Sequence, residues 1–203
     1  MNKLSVVGLD LAKNVFQVHG IDADGEVIVH KQLRRSEMHK YFARLEPCLI
    51  GMEACGGAHF WSRELTRLGH TVRMMAPAFV KPYLKSNKND RNDAEAICEA
   101  VQRPSMRFVQ PKMPEQQSVL QLHHGRQLLV RQRVALSNHM RGILSEYGIV
   151  MPQGGKAISQ RLPELLEDAG NDLPMLARHL LAELKAEHDQ LIERTERIEK
   201  QLK

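Results

Sequence analysis

Four carboxylates in this 203-residue chain sit where metal-assisted chemistry would need them. Asp10 closes an apolar run near the start, and Glu53 closes a second one, Cys48-Leu-Ile-Gly-Met-Glu. Asp90 and Asp93 lie three residues apart at the start of a helical pattern. That spacing puts both on one helical face, about 5–6 Å apart at Cβ. If the two apolar runs are neighbouring strands, Asp10 and Glu53 stand side by side, and a helix packed across their ends adds the other pair. Four carboxylates in one place repel unless cations lie between them. Hard, oxygen-preferring Mg²⁺ or Mn²⁺ suits such a site. Two such ions about 3.5–4 Å apart can activate an attacking oxygen and stabilise a leaving one in phosphodiester chemistry. Taken singly, three of the acids have an ordinary alternative: Asp10 as a turn residue, Asp90 as a helix cap, Asp93 as an early-turn acid favoured by the helix dipole. Glu53 is harder to explain away, because an apolar strand precedes it and Gly56-Gly57 follow.

The elements that must position these acids are legible from periodicity. Residues 3–9 read as a buried strand leading to Asp10, and 14–20 alternate apolar and polar as a half-buried strand does. Asp22-Ala23-Asp24-Gly25 is a turn signal, and Glu26 to Gln32 alternate again. Three strands with short turns predict an antiparallel meander. Ser36 is a candidate cap for a helix to about Glu46, stopped by Pro47. Cys48 to Glu53 then read as a central strand, Ala58 to Leu68 as a helix ended by Gly69, and Thr71 to Met75 as another strand. This order gives an α/β mixed sheet with flanking helices. The polar stretch from Pro82 to Asn89 reads as a loop, and Asp90 to Val101 as a helix stopped by Pro104.

Past Pro111 and Pro114 the character changes. Leu122, Leu129, Leu136 and Ile143 recur every seven residues, which predicts a long coiled-coil-like helix from Glu115 to Tyr147, its seam interrupted by Arg126 and Arg133. Gly148 to Gly155 read as a loop. Leu173, Ala177, Leu180, Leu184, Leu191, Ile198 and Leu202 predict a second heptad helix reaching Lys203 without a cap, as a piece of a longer protein would. The expected organisation is a metal-binding domain over residues 1–110, a long basic helix over 111–150 and a second helical segment over 151–203.

Composition excludes whole classes. Apolar residues make up 42%, charged residues 26% and aromatics only 4%, which is ordinary for a globular chain and excludes wholesale disorder. No run approaches 18 apolar residues, so no membrane helix is expected, and the opening residues read as a strand rather than a secretion signal. Three unpaired cysteines suggest a reducing, cytoplasmic setting. The net charge of +5 is concentrated in residues 81–145, where 11 basic side chains face 5 acidic ones. That third is the candidate surface for a polyanion.

Three motifs, Val-Val-Gly-Leu-Asp-Leu-Ala-Lys-Asn (6–14), Gly-Met-Glu-Ala-Cys-Gly-Gly (51–57) and Lys-Asn-Asp-Arg-Asn-Asp-Ala-Glu-Ala-Ile (88–97), closely resemble those of the DEDD-type insertion-sequence transposases, a family that includes the pilin-gene invertases. The resemblance covers at least residues 3–108, and the helices beyond match the family's coiled-coil region. It implies a ribonuclease H-like (RuvC-like) fold, with Asp10, Glu53, Asp90 and Asp93 binding divalent metal, Mg²⁺ or Mn²⁺, as two ions. It further implies recombination of DNA guided by a structured RNA, and homo-oligomers assembled through the helical region. It places the protein in the bacterial cytoplasm, at the nucleoid. The family's catalytic serine belongs to a C-terminal domain, and no residue of this sequence plays that part.

Basic residues suited to phosphate contact are Lys81, Lys85, Lys88 and Arg91 beside the acids, and Arg126, Arg131, Arg133 and Arg141 on the long helix. With little aromatic interleaving, backbone and shape recognition are favoured over base stacking. His123-His124 point about 100° apart and suit solvent better than a shared metal. Trp61 and Met74-Met75 read as core, and nothing near Cys55 activates it as a nucleophile. Competing readings are a stand-alone resolvase-like or ribonuclease H-like nuclease and a non-catalytic binding and oligomerisation fragment. An actin-like phosphotransferase would need a second glycine-rich loop and roughly twice the length.

Overall fold

The computed structural model describes residues 3–84 and 90–203, the side chains of Asp90, Arg91 and Gly155 apart. Two compact units result, Met1–Met113 and Pro114–Lys203. The first is built on a six-stranded mixed sheet. Strands β1 (Val6–Leu11), β2 (Val15–Ile21) and β3 (Val27–Arg34) form the expected antiparallel meander. Strands β4 (Leu49–Glu53) and β5 (Thr71–Met75) run parallel to β1, and a two-residue β6 (Phe108–Val109) pairs antiparallel with β5. The spatial order is β3-β2-β1-β4-β5-β6. This is the ribonuclease H-like arrangement.

Period-two alternation sorts the strands between two cores. Val7, Leu9, Ile50 and Met52 face a cluster with Phe16, Phe42, Trp61 and Leu65, covered by helices α1 (Met38–Phe42) and α2 (Ala58–Arg67). Val6 and Leu49 face the other side, where α4 (Asp90–Ala100) supplies Ala96, Ile97, Cys98 and Ala100, and Val101 follows. Between β5 and α4 lie a short helix α3 (Pro77–Val80), for which the sequence pattern gives no element, and a 3₁₀ turn, Lys81–Tyr83, which overlaps the start of the loop expected from Pro82.

The approach of α4 is unusually close. Gly8 and Gly51 are register partners on β1 and β4. A Cβ on Gly8 would lie 2.0 Å from the carbonyl oxygen of Ala94, and one on Gly51 2.7 Å from Cβ of Val101. The helix thus rests on bare strand backbone, and the Cys98 thiol faces the carbonyl of Val6 at 3.9 Å.

The predicted Ser36-to-Glu46 helix is shorter than its pattern. Its entry is a 3₁₀ turn, Arg35–Glu37, where the Glu37 carboxylate accepts the Arg34 N–H at 2.7 Å. Ser36 therefore does not act as the cap. His70 then ties the neighbourhood together: its Nδ1 accepts the Cys48 N–H at 3.3 Å, and its Nε2 lies 3.0 Å from the Phe42 carbonyl.

The second unit is helical: α5 (Pro114–Glu146), α6 (Gly155–Glu167) and α7 (Met175–Gln201). Helix α6 was not foreseen, because Pro163 lies inside it. The expected seam of α7 is also corrected. Leu180 is half exposed, and the buried stripe runs through Ala177, Leu181, His188, Leu191 and Thr195. The heptad period is intact, but two of its positions are polar, so an apolar search chose the wrong neighbour. Met140 and Leu144 of α5 pack with Leu162 of α6 and Leu181 of α7. Arg178 organises the α6–α7 turn by donating to the carbonyls of Leu165, Leu166, Asp168, Asn171 and Leu173. No helix among the described residues is long and apolar enough to cross a membrane.

Two substitutions test this account. Gly8→Ala drives a methyl group into helix backbone that cannot rotate away, and should cost about 3 kcal/mol in urea unfolding, against about 1–2 for Gly51→Ala, where only the Val101 side chain must give. Arg178→Ala strands several inward-facing carbonyls and should cost about 2–3 kcal/mol by the same measurement.

Candidate metal centre and nucleic-acid surface

On β1 the residues facing α4 are Val6, Gly8 and, two further on, Asp10. On β4 the same count gives Leu49, Gly51 and Glu53. The parallel register pairs Leu9 with Met52, so one more step sets Asp10 level with Glu53 at the carboxyl ends of adjacent strands. Asp93 precedes Ala94, whose carbonyl oxygen lies over Gly8. The helix therefore delivers its acid to the same edge.

Electrostatics show the convergence. The Glu53 carboxyl is pushed above the usual range, first by burial and then by the negative charges of Asp10 and Asp93. Asp93 is half-buried, and its Oδ1 is sealed from solvent without a hydrogen-bond partner among the described residues. The Cys55 thiol is pushed up by burial and then by the charges of Asp10 and Glu53, which disfavours the thiolate. Among the described residues, no group of three His, Cys, Asp or Glu side chains is placed to hold a metal ion, so Asp10, Glu53 and Asp93 by themselves do not make a cage. Asp90 opens α4 one helical turn before Asp93, with its side chain outside the described set. An all-oxygen donor set with one orphaned buried oxygen and one destabilised carboxylate fits a hard divalent cation.

The basic residues divide. Lys81 is exposed on the 3₁₀ turn after α3. Lys85 and Lys88 lie outside the described residues, as does the side chain of Arg91. On α5, Arg131 is exposed, and Arg133 stands near His188 of α7, a buried ring kept neutral mainly by desolvation. Arg126 is engaged with Glu199 of α7, Nε to Oε1 at 2.7 Å. Arg141 donates to the carbonyls of Pro152 at 3.1 Å and Gly154 at 2.8 Å. Those two arginines hold the helical unit together, a duty that a charge count along one helix cannot reveal. His123 and His124 are exposed, and Trp61, Met74 and Met75 are core.

One feature of this edge has no local sequence signal. Arg35 lies against the rings of both Phe16 and Trp61, 5.6 Å from each centroid. Its stacking partners are far apart in the chain, and only the fold brings them together.

The chain is similar to known transposases. Residues 7–149 match the family DEDD_Tnp_IS110, described as transposase. It is 50% identical over 200 residues to a Pseudomonas aeruginosa protein named "Probable family 20 transposase", covering 98% of this chain and 59% of that protein. It is 42% identical over 203 residues to the transposase for insertion sequence element IS1328 of Yersinia enterocolitica, covering 100% of this chain and 60% of the relative. Against the transposase for insertion sequence element IS1111A of Coxiella burnetii it is 47% identical over 166 residues, or 82% of this chain and 46% of the relative. The chain thus spans about half to three-fifths of the length of these relatives.

The crowding of acids has a measurable consequence. A carboxyl whose pKa is raised by folding keeps a proton that the unfolded chain releases, so stability falls as pH rises through that folded pKa. Glu53→Gln should therefore raise the melting temperature in EDTA at neutral pH. The gain should vanish below about pH 4, where Glu53 is protonated in both states.

Proposed function

The chain belongs to the DEDD transposases of the IS110 type, and from that premise we propose that its first unit is a divalent-metal centre for cleaving and transferring DNA strands. What carries the reading is the gathering of Asp10, Glu53 and Asp93 at one sheet edge, with a buried Asp93 oxygen that has no hydrogen-bond partner among the described residues. Asp10, Glu53, Asp90 and Asp93 would hold Mg²⁺ or Mn²⁺, two ions in the full site. Bound there, the metal supplies activation of an attacking oxygen and charge stabilisation of a leaving one.

The protein's own part is to hold carboxylates against their mutual repulsion. Asp10 and Glu53 are fixed by the strand register, and Asp93 by the backbone contact of α4 with Gly8. Lys81, Lys85, Lys88 and Arg91 would draw phosphates toward the acids, and Arg131 and Arg133 would give the helical unit a basic surface of its own. A structured guide RNA and a second copy of the chain, joined through the helical unit, are the expected partners. Because the matched relatives are longer, complete strand exchange is assigned to the whole protein rather than to these residues.

Calorimetric titration with Mn²⁺ tests the centre. Wild type should bind in the micromolar-to-millimolar range, and Asp10→Ala and Glu53→Ala should each abolish the signal, although 43 residues of sequence separate them. At 100 times Kd, Mn²⁺ should also stabilise wild type by about 2.7 kcal/mol and neither variant. Unchanged binding in the variants would remove the proposed site.

A further inference from the structure

We propose that Arg35 is a positioning residue that grips a backbone phosphate of the DNA strand lying across the acid edge. The inference rests on the metal-centre reading and adds a site outside it.

The guanidinium is placed with unusual definition for an exposed side chain. It faces the Phe16 and Trp61 rings at 5.6 Å each, and those rings themselves meet edge to face at 5.4 Å. Its Nε donates to the Lys13 carbonyl at 3.3 Å, and its backbone N–H donates to the Asn14 carbonyl at 2.9 Å. A Cβ on Gly57 would come within 3.9 Å of Nη2. Arg35 therefore bonds to the turn after Asp10 and lies beside the one after Glu53.

The location sets the reach. Lys13 is three residues from Asp10, at most about 11 Å of chain. A nucleic-acid strand advances about 3.4 Å along its axis per nucleotide. A phosphate held at Arg35 would thus lie within a few nucleotides of one held at the acids.

Chemistry selects the ligand. Among the described residues no carboxylate pairs with Arg35 and no acceptor faces its Nη atoms. The one acid of the adjoining turn, Glu37, spends its Oε2 on the Arg34 N–H. Lys13 and Arg34 add positive charge beside it. A planar fork with its apolar face packed and its donor edge open suits a phosphate, which accepts two parallel N–H bonds.

The test uses the full chain, a 30-base-pair DNA duplex and a salt series, read by fluorescence anisotropy. Arg35→Met keeps the alkyl packing and removes the charge. It should weaken binding several-fold at low salt and flatten the slope of log K against log salt by about 0.9, one phosphate contact. Arg35→Lys should retain the slope. The melting temperature and Mn²⁺ titration are measured on the same samples. An Arg35→Met protein with a lowered melting temperature and an unchanged salt slope would make Arg35 a structural stack and overturn the inference. So would wild type that binds Mn²⁺ but whose DNA affinity is insensitive to both substitutions. Loss of Mn²⁺ binding by wild type itself would instead defeat the metal-centre reading.

Discussion

Everything at the acid edge depends on one contact, a helix lying directly on strand backbone. A side chain on Gly8 would lift α4 off the sheet and carry Asp93 away with it. Two register-paired glycines make a flat floor on which the helix can approach to van der Waals contact with backbone atoms. Small residues on the facing side complete the fit: Ala94 and Cys98 lie over Gly8. The closeness is a packing solution, and its product is electrostatic.

That product is unfavourable on its own terms. Burial and two neighbouring negative charges disfavour ionised Glu53, and the buried Asp93 oxygen forgoes a hydrogen bond that would ordinarily be worth about 1 kcal/mol. Folds keep such arrangements where a ligand relieves them. The surrounding scaffold absorbs the cost. Two apolar clusters sandwich the sheet, and a buried histidine, His70, joins the Phe42 carbonyl to the Cys48 N–H across three elements. Buried Cys98, its thiol raised to about 12, serves packing alone.

The helical unit follows a different logic. Its buried stripe on α7 includes His188 and Thr195, so apolar burial alone does not define the pairing of helices. The Thr195 hydroxyl satisfies itself on the Leu191 carbonyl at 2.7 Å, whereas His188 is kept uncharged by its surroundings. Polar positions in a helical seam fix register at some expense of stability. Arg126 with Glu199, and Arg178 with its ring of carbonyls, fix the ends.

Sequence alone determined strands β1 to β5 and the flanking helices, and it singled out Asp10, Glu53 and Asp93, which the structure brings together; the two-residue β6 it did not show. Strand periodicity and turn chemistry are local, and a carboxylate closing an apolar strand is conspicuous wherever it occurs. Helix α6 escaped notice because Pro163 conflicts with a rule that tertiary packing of Ile158 and Leu162 overrides. The seam of α7 was misplaced because burial, not residue type, decides which positions face inward. Only tertiary structure decided that Gly8 and Gly51 form one floor, that Arg126 and Arg141 are engaged within the helical unit while Arg131 is exposed, and that Arg35 stands between two rings. Each of these depends on residues remote in sequence meeting in space, and no window along the chain contains both partners.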